Sequence, residues 1–245
     1  MSAGVGAVRP WAEPVTVVAL DADDTLWHNE DAFVSAHGRL REVLAGHADG
    51  AEVDRRLQAV ERRNLEVYGY GVKGFTLSMV ETALEMASGD LPRADVALLL
   101  DLGKAMLRRP VDLLPGVEAT VAALAAAELR LVVVTKGDLF AQESRVARSG
   151  LADSFELVEV VSEKDEATYR KVLRRLGIEA EELLMVGNSE KSDIAPVLAL
   201  GGWAAHVPYA VTWEHEVLSE PVVSDRRVDL ARLDDLLPLL GLPPA

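Results

Sequence analysis

Two aspartates separated by one residue stand out as groups that could do chemistry: Asp21 and Asp23, in the run DADDT. Residues two apart in an extended chain share a face, so the two carboxylates would lie side by side while Ala22 points away. Like charges at such short range repel each other unless a positive group lies nearby. The chain has no cysteine, which excludes thiolate metal sites and cysteine nucleophiles. The pair therefore favours a hard cation such as Mg²⁺.

The acidic run has two other interpretations. It could be a solvated acidic turn without further function. It could also begin a calcium-binding loop of the EF-hand type, but the sixth position would then be Leu26, where glycine is needed, and the twelfth Ala32, where glutamate is needed. A cluster of acids directly after a buried strand must lie in a partly desolvated crevice, which costs free energy and is typical of chemically active sites.

Two further apolar runs also end in polar residues. Thr135 and Lys136 follow LRLVVV, and Asn188 follows LLMVG, with Asp193 further on. Open parallel sheets bind ligands beyond the carboxyl ends of their strands, where these ends meet at one edge. We therefore expect the polar groups that follow the three runs to lie close to Asp21.

The order of the elements predicts the fold that would position these groups. Continuous apolar and β-branched runs predict buried strands, and helical patterns alternate with them. The runs are 15–20, 129–134, 155–160, 183–186 and 203–207, and after Pro208 we expect a last strand and a helix with Leu233, Leu236 and Leu240 on one apolar face. The sequence thus predicts an α/β fold with a Rossmann-like parallel sheet.

Residues 30–110 interrupt this alternation. They contain amphipathic helical patterns and no convincing strand. The patterns are Val53, Leu57 and Val60; Leu77, Val80 and Leu84; and Val96, Leu99, Leu100, Gly103, Met106 and Leu107. We predict an inserted α-helical cap at 30–110, a core made of 15–29 and 111–245, and a loose N-terminal arm at 1–14.

The cap contains a glycine-rich string, GYGVKG at 69–74, which fits the dinucleotide-binding pattern G-x-G-x-x-G. A helical pattern precedes it where a buried strand is required, so we interpret it as a turn between two cap helices. Loops of this kind carry specificity in many enzymes, and Tyr70 and Lys73 are candidates for contacting a substrate.

The motifs together resemble those of the haloacid dehalogenase-like hydrolase superfamily. The strand followed by LDADDTLW resembles its first motif, D-x-D-x-T, and VVVTKGD with Thr135 resembles its second. VSEKDEATYRKVL with Lys164 resembles the third, and LLMVGNSEKSDI resembles the fourth. The resemblance covers residues 15 to about 208, and the helical insert between the first and second motifs is similar to the cap of one subgroup.

The resemblance implies a mechanism. Asp21 would be the nucleophile that forms an aspartyl-phosphate, and Asp23 would be the general acid and base. Thr135 and Lys164 would bind the transferring phosphoryl group, and Mg²⁺ would contact Asp21, the backbone carbonyl of Asp23 and a group from the fourth motif. The substrate would be a small phosphorylated metabolite under the cap. From its place after Thr135, Lys136 could either add positive potential near the phosphate or be a lysine on a surface loop.

Two choices remain within this assignment. The fourth motif usually reads G-D-x-x-x-D, whereas this chain has Asn188 at the first acidic position. An amide is a weaker ligand than a carboxylate for a hard cation, so we expect Asp193 to be the direct ligand, with Asn188 also at the metal site. Lys171 could compete with Lys164 for the phosphate, but it falls inside a helical pattern, away from its start.

Composition excludes several classes of function. The 245 residues carry a formal net charge of −15, which repels a nucleic-acid backbone. No uncharged apolar stretch reaches the roughly 18 residues of a membrane-spanning helix, and we identify no signal peptide, so we expect a cytoplasmic protein. The histidines do not have the spacing of a zinc site. It could be a monomer or a homodimer.

Three alternatives to a phosphatase differ in class. The first is a phosphomutase-like transfer on a sugar phosphate, and the second is a catalytically weakened binding protein with this fold, of which Asn188 would be one sign. The third is a dehalogenase, which the resemblance disfavours because dehalogenases of the superfamily have no acid at the position of Asp23 and need no metal.

Overall fold

The computed structural model describes residues 15–87, 89–211, 216, 218, 220 and 222–244, so the predicted arm at 1–14 lies outside the described residues. The chain forms two compact units. The core unit comprises the residues up to His28, Val111–Thr135 and the residues from Glu143 onward. The helical unit comprises Asn29–Pro110 and Lys136–Gln142.

The core unit contains a six-stranded sheet with the strand order β3-β2-β1-β4-β5-β6. The strands are β1 (Val17–Leu20), β2 (Arg130–Lys136), β3 (Leu157–Val161), β4 (Leu183–Gly187), β5 (Trp203–His206) and β6 (Arg227–Asp229). β1 pairs in parallel with both β2 and β4, and β5 pairs in parallel with β4 and β6. The predicted α/β fold with a Rossmann-like parallel sheet is confirmed.

Nine helices occur in the described part of the chain. They are α1 (Glu30–Val43), α2 (Gly50–Tyr68), α3 (Val72–Met86), α4 (Arg93–Arg108), α5 (Val117–Ala126), α6 (Leu139–Arg148), α7 (Glu166–Leu176), α8 (Ala195–Ala199) and α9 (Leu236–Leu239). Short 3₁₀ turns lie at Ala152–Ser154, Ala180–Glu182 and Leu233–Asp235, and a π-helical turn lies at Glu190–Ile194. None of these helices combines the length and apolarity needed to cross a membrane.

The continuous apolar run of β1 is explained by burial on both faces of the sheet. Val18 and Leu20 pack in one cluster with α5 and α9, while Val17 and Ala19 pack in another with α7. A strand in this position has no solvent-facing side, so the two-residue alternation of a half-buried strand is absent. β1 is thereby fixed at the centre of the sheet, and its end is a rigid place for a functional group.

The helical unit has its own core, formed between α1, α2, α3 and α4. The predicted buried face of α2 is correct, and α2 and α3 are joined by the expected turn, at Gly69–Gly71. The predicted face of α3 is wrong: Leu77 and Leu84 are 41% and 58% exposed, whereas Phe75 and Met79 are buried.

The close approach of α4 explains this difference. A Cβ atom on Gly103 of α4 would lie 2.0 Å from Oγ1 of Thr76, so only glycine permits the two helices to approach at this point. This contact turns the Thr76 side of α3 inward and the leucines outward. Hydrophobic periodicity alone predicted that the larger leucine side chains would lie on the buried face of α3.

Residues 136–142 group with the helical unit, although the sequence analysis placed them in the core. Nζ of Lys136 lies 4.5 Å from the ring centroid of Tyr70, and Nζ of Lys73 lies 2.9 Å from Oδ1 of Asp138. These contacts join the end of β2 to the loop between α2 and α3, and the segment after β2 to the first turn of α3. The chain therefore leaves the core unit directly after Thr135.

Glu61 in α2 provides a test of the packing in the helical unit. Its carboxyl is half-buried, and burial raises its pKa from 4.5 to about 7. The unfolded chain releases this proton near pH 4.5, whereas the folded chain keeps it up to about pH 7. The free energy of unfolding therefore falls as the pH rises from about 4.5 to about 7. Glu61→Gln is expected to raise the free energy of unfolding by about 2 kcal/mol at pH 8 and to leave it unchanged at pH 4.

Urea unfolding at the two pH values measures this effect. Glu66→Gln, an exposed position in the same helix, is the matched control and should change stability at neither pH. An equal gain from Glu61→Gln at both pH values would show that ionisation of Glu61 does not limit stability.

Candidate active site

Asp21 extends β1 by one residue, and its carboxylate is buried. Its backbone N–H donates to the carbonyl of Val186 at 2.9 Å, which continues the pairing between β1 and β4. Nζ of Lys164 donates to Oδ1 of Asp21, and the hydroxyl of Thr25 donates to Oδ2 at 3.2 Å. Both carboxylate oxygens are thereby oriented at the end of the central strand.

The chain turns sharply after Asp21. The N–H of Leu26 donates to the carbonyl of Ala22 at 2.8 Å, and that of Asp24 donates to the carbonyl of Trp27 at 2.8 Å. Asp24 adopts a positive φ of 62°, a conformation that aspartate tolerates better than most residues. The turn brings the indole of Trp27 to the carboxylate of Asp23.

Asp23 is neutralised by a residue that the sequence analysis missed. NH1 of Arg145, in α6, donates to Oδ1 of Asp23 at 2.7 Å, and Nε1 of Trp27 donates to the same oxygen at 2.8 Å. NH2 of Arg145 also donates to the carbonyl of His28 at 3.2 Å. Arg145 lies 122 residues from Asp23 in an arginine-containing amphipathic helix, and no local pattern distinguishes it from a surface arginine.

Lys164 joins two carboxylates in the interior of the site. Its Nζ donates to Asp21 and, at 2.7 Å, to Oδ1 of Asp193, and all three side chains are at least 90% buried. The position of Lys164 is fixed by α7, because the next residue, Asp165, caps that helix by accepting from the N–H of Thr168 at 2.8 Å. Lys171 lies inside α7, away from its start, as expected, and its side chain is exposed.

Burial dominates the protonation equilibria of this group. Burial, together with the charges of Asp193 and Asp23, raises the pKa of Asp21 to about 7, and Lys164 opposes this shift. For Lys164, desolvation lowers the pKa, but the two carboxylates outweigh it and the net shift is upward. The ammonium group of Lys164 therefore remains charged. The carboxyl group of Asp21, the candidate nucleophile, changes its protonation state near its pKa of about 7.

Asp193 and Asn188, which follow β4, contact different partners. Oδ1 of Asp193 accepts from Lys164 and Oδ2 accepts from the N–H of Ser189 at 2.9 Å. This carboxylate lies so close to the strand that a Cβ atom on Gly187 would be 2.2 Å from Oδ2. Asp193 thus holds Lys164 and the turn after β4.

The Asn188 side chain contacts both Asp21 and Asp23. Its terminal amide is 3.2 Å from Oδ2 of Asp21 and 3.3 Å from the backbone carbonyl oxygen of Asp23, and these contacts are satisfied with the amide nitrogen facing them. Asn188 thus contacts Asp21 and Asp23 directly, whereas Asp193 contacts Lys164, which also binds Asp21.

A further acid contacts the turn after β4. The hydroxyls of Ser189 and Ser192 both donate to Oε2 of Glu216, and Ser189 also accepts from the N–H of Ser192 at 3.0 Å. Ser189 thus stabilises the turn.

The other predicted site residues fall in both units. Thr135 is buried near the end of β2, two residues beyond Val133, which pairs with Leu20 of β1. Lys136, Tyr70 and Lys73 lie together in the helical unit, where Lys136 stacks on Tyr70 and Lys73 is paired with Asp138. The structure thus brings Asp21, Asp23, Lys164, Asn188 and Asp193 together in the core unit.

Comparison with known proteins agrees with this α/β fold. The family model of haloacid dehalogenase-like hydrolases matches residues 15–201. A phosphoglycolate phosphatase from Pectobacterium atrosepticum is 31% identical over 235 residues, which cover 91% of this chain and 92% of that protein.

Solved structures show the same fold. A haloacid dehalogenase-like family hydrolase from Xanthomonas campestris is 40% identical, with a TM-score of 0.81 and coverage of 94% of both chains. A 2-haloacid dehalogenase from Pseudomonas syringae is 26% identical, with a TM-score of 0.60, and covers 93% of this chain and 98% of that one.

An α/β core with an acidic site at the carboxyl ends of its central strands defines the class of this protein as a hydrolase. The chain belongs to the haloacid dehalogenase-like hydrolase family. The family resemblance and the assignment as an enzyme are both confirmed.

Proposed function

We propose that the protein is a Mg²⁺-dependent phosphatase that hydrolyses a small phosphomonoester through an aspartyl-phosphate on Asp21. The observation that carries this proposal is the buried carboxylate of Asp21 at the end of β1, held by Lys164 and adjacent to Asp23 and Asn188. The similarity to the phosphatase from Pectobacterium atrosepticum supports the reaction type, and 2-phosphoglycolate is accordingly one substrate to test.

In the first step, a carboxylate oxygen of Asp21 forms a bond to phosphorus while the bond from phosphorus to the ester oxygen breaks. The leaving alkoxide takes a proton from Asp23, which must therefore be in its carboxylic acid form when this step begins. In the second step, Asp23 accepts a proton from water, the water oxygen attacks phosphorus, and the carboxylate of Asp21 leaves as inorganic phosphate is formed. The protein is thereby returned to its initial state.

Lys164 and Thr135 would stabilise the transferring phosphoryl group. The ammonium of Lys164 is already positioned by Asp193, so little reorganisation is needed when negative charge develops on the phosphoryl oxygens. Thr135, near the end of the neighbouring strand, would donate its hydroxyl to one of these oxygens. Lys136, Tyr70 and Lys73 remain candidates for contacting the rest of the substrate.

The residues present fit a magnesium ion. The carboxylate of Asp21, the backbone carbonyl of Asp23 and the amide oxygen of Asn188 are hard oxygen ligands, and the Asn188 amide is within 3.3 Å of the other two. Among the described residues, no cluster of three or more acidic or histidine side chains offers a metal cage. When bound, the cation would neutralise the repulsion between Asp21 and the phosphate. Rotation of the amide would exchange its nitrogen for its oxygen.

Asn188 provides a direct test of the metal site. Asn188→Asp is expected to raise Mg²⁺ affinity about tenfold, because a carboxylate replaces a neutral amide next to the cation. Asn188→Ala should lower the affinity more than Asp193→Asn does, the reverse of the order that the sequence analysis favoured. Titration calorimetry with Mg²⁺ and no substrate measures the affinities. A larger loss in Asp193→Asn would restore Asp193 as the direct ligand.

The function itself is tested with a panel of phosphorylated metabolites. We expect phosphate release with Mg²⁺ and none in EDTA. Transfer of phosphate to a second hydroxyl of a sugar phosphate would instead indicate a mutase, and ligand-induced thermal stabilisation without turnover would indicate a binding protein. Halide release from a 2-haloacid would indicate a dehalogenase, which the Pseudomonas syringae neighbour favours and Asp23 disfavours. A cytoplasmic location and the oligomeric state stay predictions.

A further inference from the structure

The peptide group between Asn188 and Ser189 is held on both of its sides by side chains. Its carbonyl oxygen, on Asn188, is 3.1 Å from Nε2 of His206, and its N–H, on Ser189, donates to Oδ2 of Asp193 at 2.9 Å. A carbonyl oxygen can only accept, so Nε2 of His206 is the donor in this pair. Because a peptide group is planar, hydrogen bonds to its two opposite atoms fix its orientation.

The pairing of β4 with β5 fixes the peptide group before Asn188 as well. Gly187 lies opposite His206 in this parallel pair, and the N–H of Val207 donates to the carbonyl of Gly187 at 3.0 Å. With both flanking peptide groups fixed, the backbone of Asn188 has a set conformation, which determines the direction of its side chain. That direction brings the amide to Asp21 and Asp23.

The ring of His206 is itself held in place by charged groups beyond the strand end. Its Nδ1 lies 3.5 Å from Oδ1 of Asp229 and 3.8 Å from Oε1 of Glu190, and its side chain is 16% exposed. NH2 of Arg227 donates to the same two oxygens, at 2.7 Å to Asp229 and at 2.6 Å to Glu190. These contacts restrict the ring to the orientation in which Nε2 faces Asn188.

We propose that His206 is a positioning residue for Asn188: its imidazole orients the peptide group after Asn188 and thereby directs the Asn188 amide to the magnesium site. This inference rests on the proposed function, which includes that site. His206 acts through Asn188 and does not bind the cation. Loss of a group that orients a metal ligand typically lowers metal affinity by about 10- to 100-fold.

Two amide substitutions test the proposal by separating the two ring nitrogens of His206. The amide nitrogen of glutamine is as many bonds from Cα as Nε2 is, whereas that of asparagine corresponds to Nδ1. His206→Gln can therefore still donate to the carbonyl of Asn188, and its Mg²⁺ affinity should stay within about threefold of the wild-type value. His206→Asn is too short to reach that carbonyl and should lower the affinity by at least about tenfold. Titration calorimetry with Mg²⁺ and no substrate measures both.

A double-mutant cycle shows whether the effect passes through Asn188. In the Asn188→Ala background, His206→Asn should cause no further loss of Mg²⁺ affinity, because the side chain that His206 directs is absent. His47→Asn, at an exposed histidine of the helical unit, is the control and should change nothing. Thermal melts check that each variant is folded. Equal affinities of His206→Asn and His206→Gln, or additive losses in the cycle, would overturn the proposal.

A measurement without metal keeps this inference separate from the proposed function. If the wild-type protein binds no Mg²⁺, the metal site is wrong, and NMR of the metal-free protein then decides whether His206 orients Asn188. The side-chain NH₂ signals of Asn188 are assigned by their loss in Asn188→Ala. Both His206 variants lack the imidazole ring, so a difference in these signals between them reports on the position of the Asn188 amide. We expect such a difference, and identical signals in the two variants would refute the role of His206.

Discussion

Asp21→Asn is expected to lower kcat by about 10⁴-fold or more with every phosphomonoester that the protein hydrolyses. The amide has nearly the same shape as the carboxylate, but it is a poor nucleophile for phosphorus. Lys164 keeps its partner Asp193 in this variant, so the buried ammonium is not left alone. Steady-state phosphate release and a thermal melt on the same preparation separate lost chemistry from lost folding.

Asp24→Asn is the matched control for this substitution. Asp24 lies in the same acidic run and is also buried, and its positive φ of 62° is one that asparagine readily adopts. Its activity should stay within about tenfold of the wild-type value. Trapping of a phosphorylated protein provides a second readout, because the phosphoryl group should appear on the wild-type chain and on Asp24→Asn but not on Asp21→Asn. Wild-type turnover in Asp21→Asn would refute the nucleophile assignment.

Lys164→Met is expected to lower the free energy of unfolding by about 3–5 kcal/mol. The ammonium of Lys164 lies between the carboxylates of Asp21 and Asp193, and its removal leaves both in a buried environment without a counter-charge. Methionine preserves most of the aliphatic length of lysine, so the loss reports on charge more than on packing. Activity should fall by at least about 10³-fold in addition, because charge on the phosphoryl group is no longer offset.

Lys171→Met separates this effect from a general loss of positive charge. Lys171 lies in α7 seven positions after Lys164 and is exposed, so its replacement should change neither stability nor activity measurably. Urea unfolding of the two variants gives the comparison. A loss below about 1 kcal/mol in Lys164→Met would mean that the buried ion pairs are replaced without cost, and it would remove Lys164 as the organising group of the site.

The sequence by itself determined the class of the fold and the polar groups at the strand ends. A strand that is buried on both faces must be apolar throughout, so the run before Asp21 could be identified without any tertiary information. Parallel strands end at the same edge, so residues following separate runs could be placed together. This reasoning located Asp21, Thr135 and Asn188 near the carboxyl ends of three neighbouring strands. Hydrophobic periodicity, in contrast, predicted the wrong buried face for α3.

The tertiary structure alone decided which side chains meet. Arg145 reaches Asp23 across 122 residues, and this contact depends on how α6 packs, which leaves no periodic signal in the chain. The contacts of Asp193 with Lys164 and Ser189 depend on the π-helical turn at Glu190–Ile194, in which Asp193 lies. Local sequence patterns indicate which residues are buried and where strands and helices run. The partner of a charged side chain depends on tertiary packing, which brings residues distant in sequence into contact.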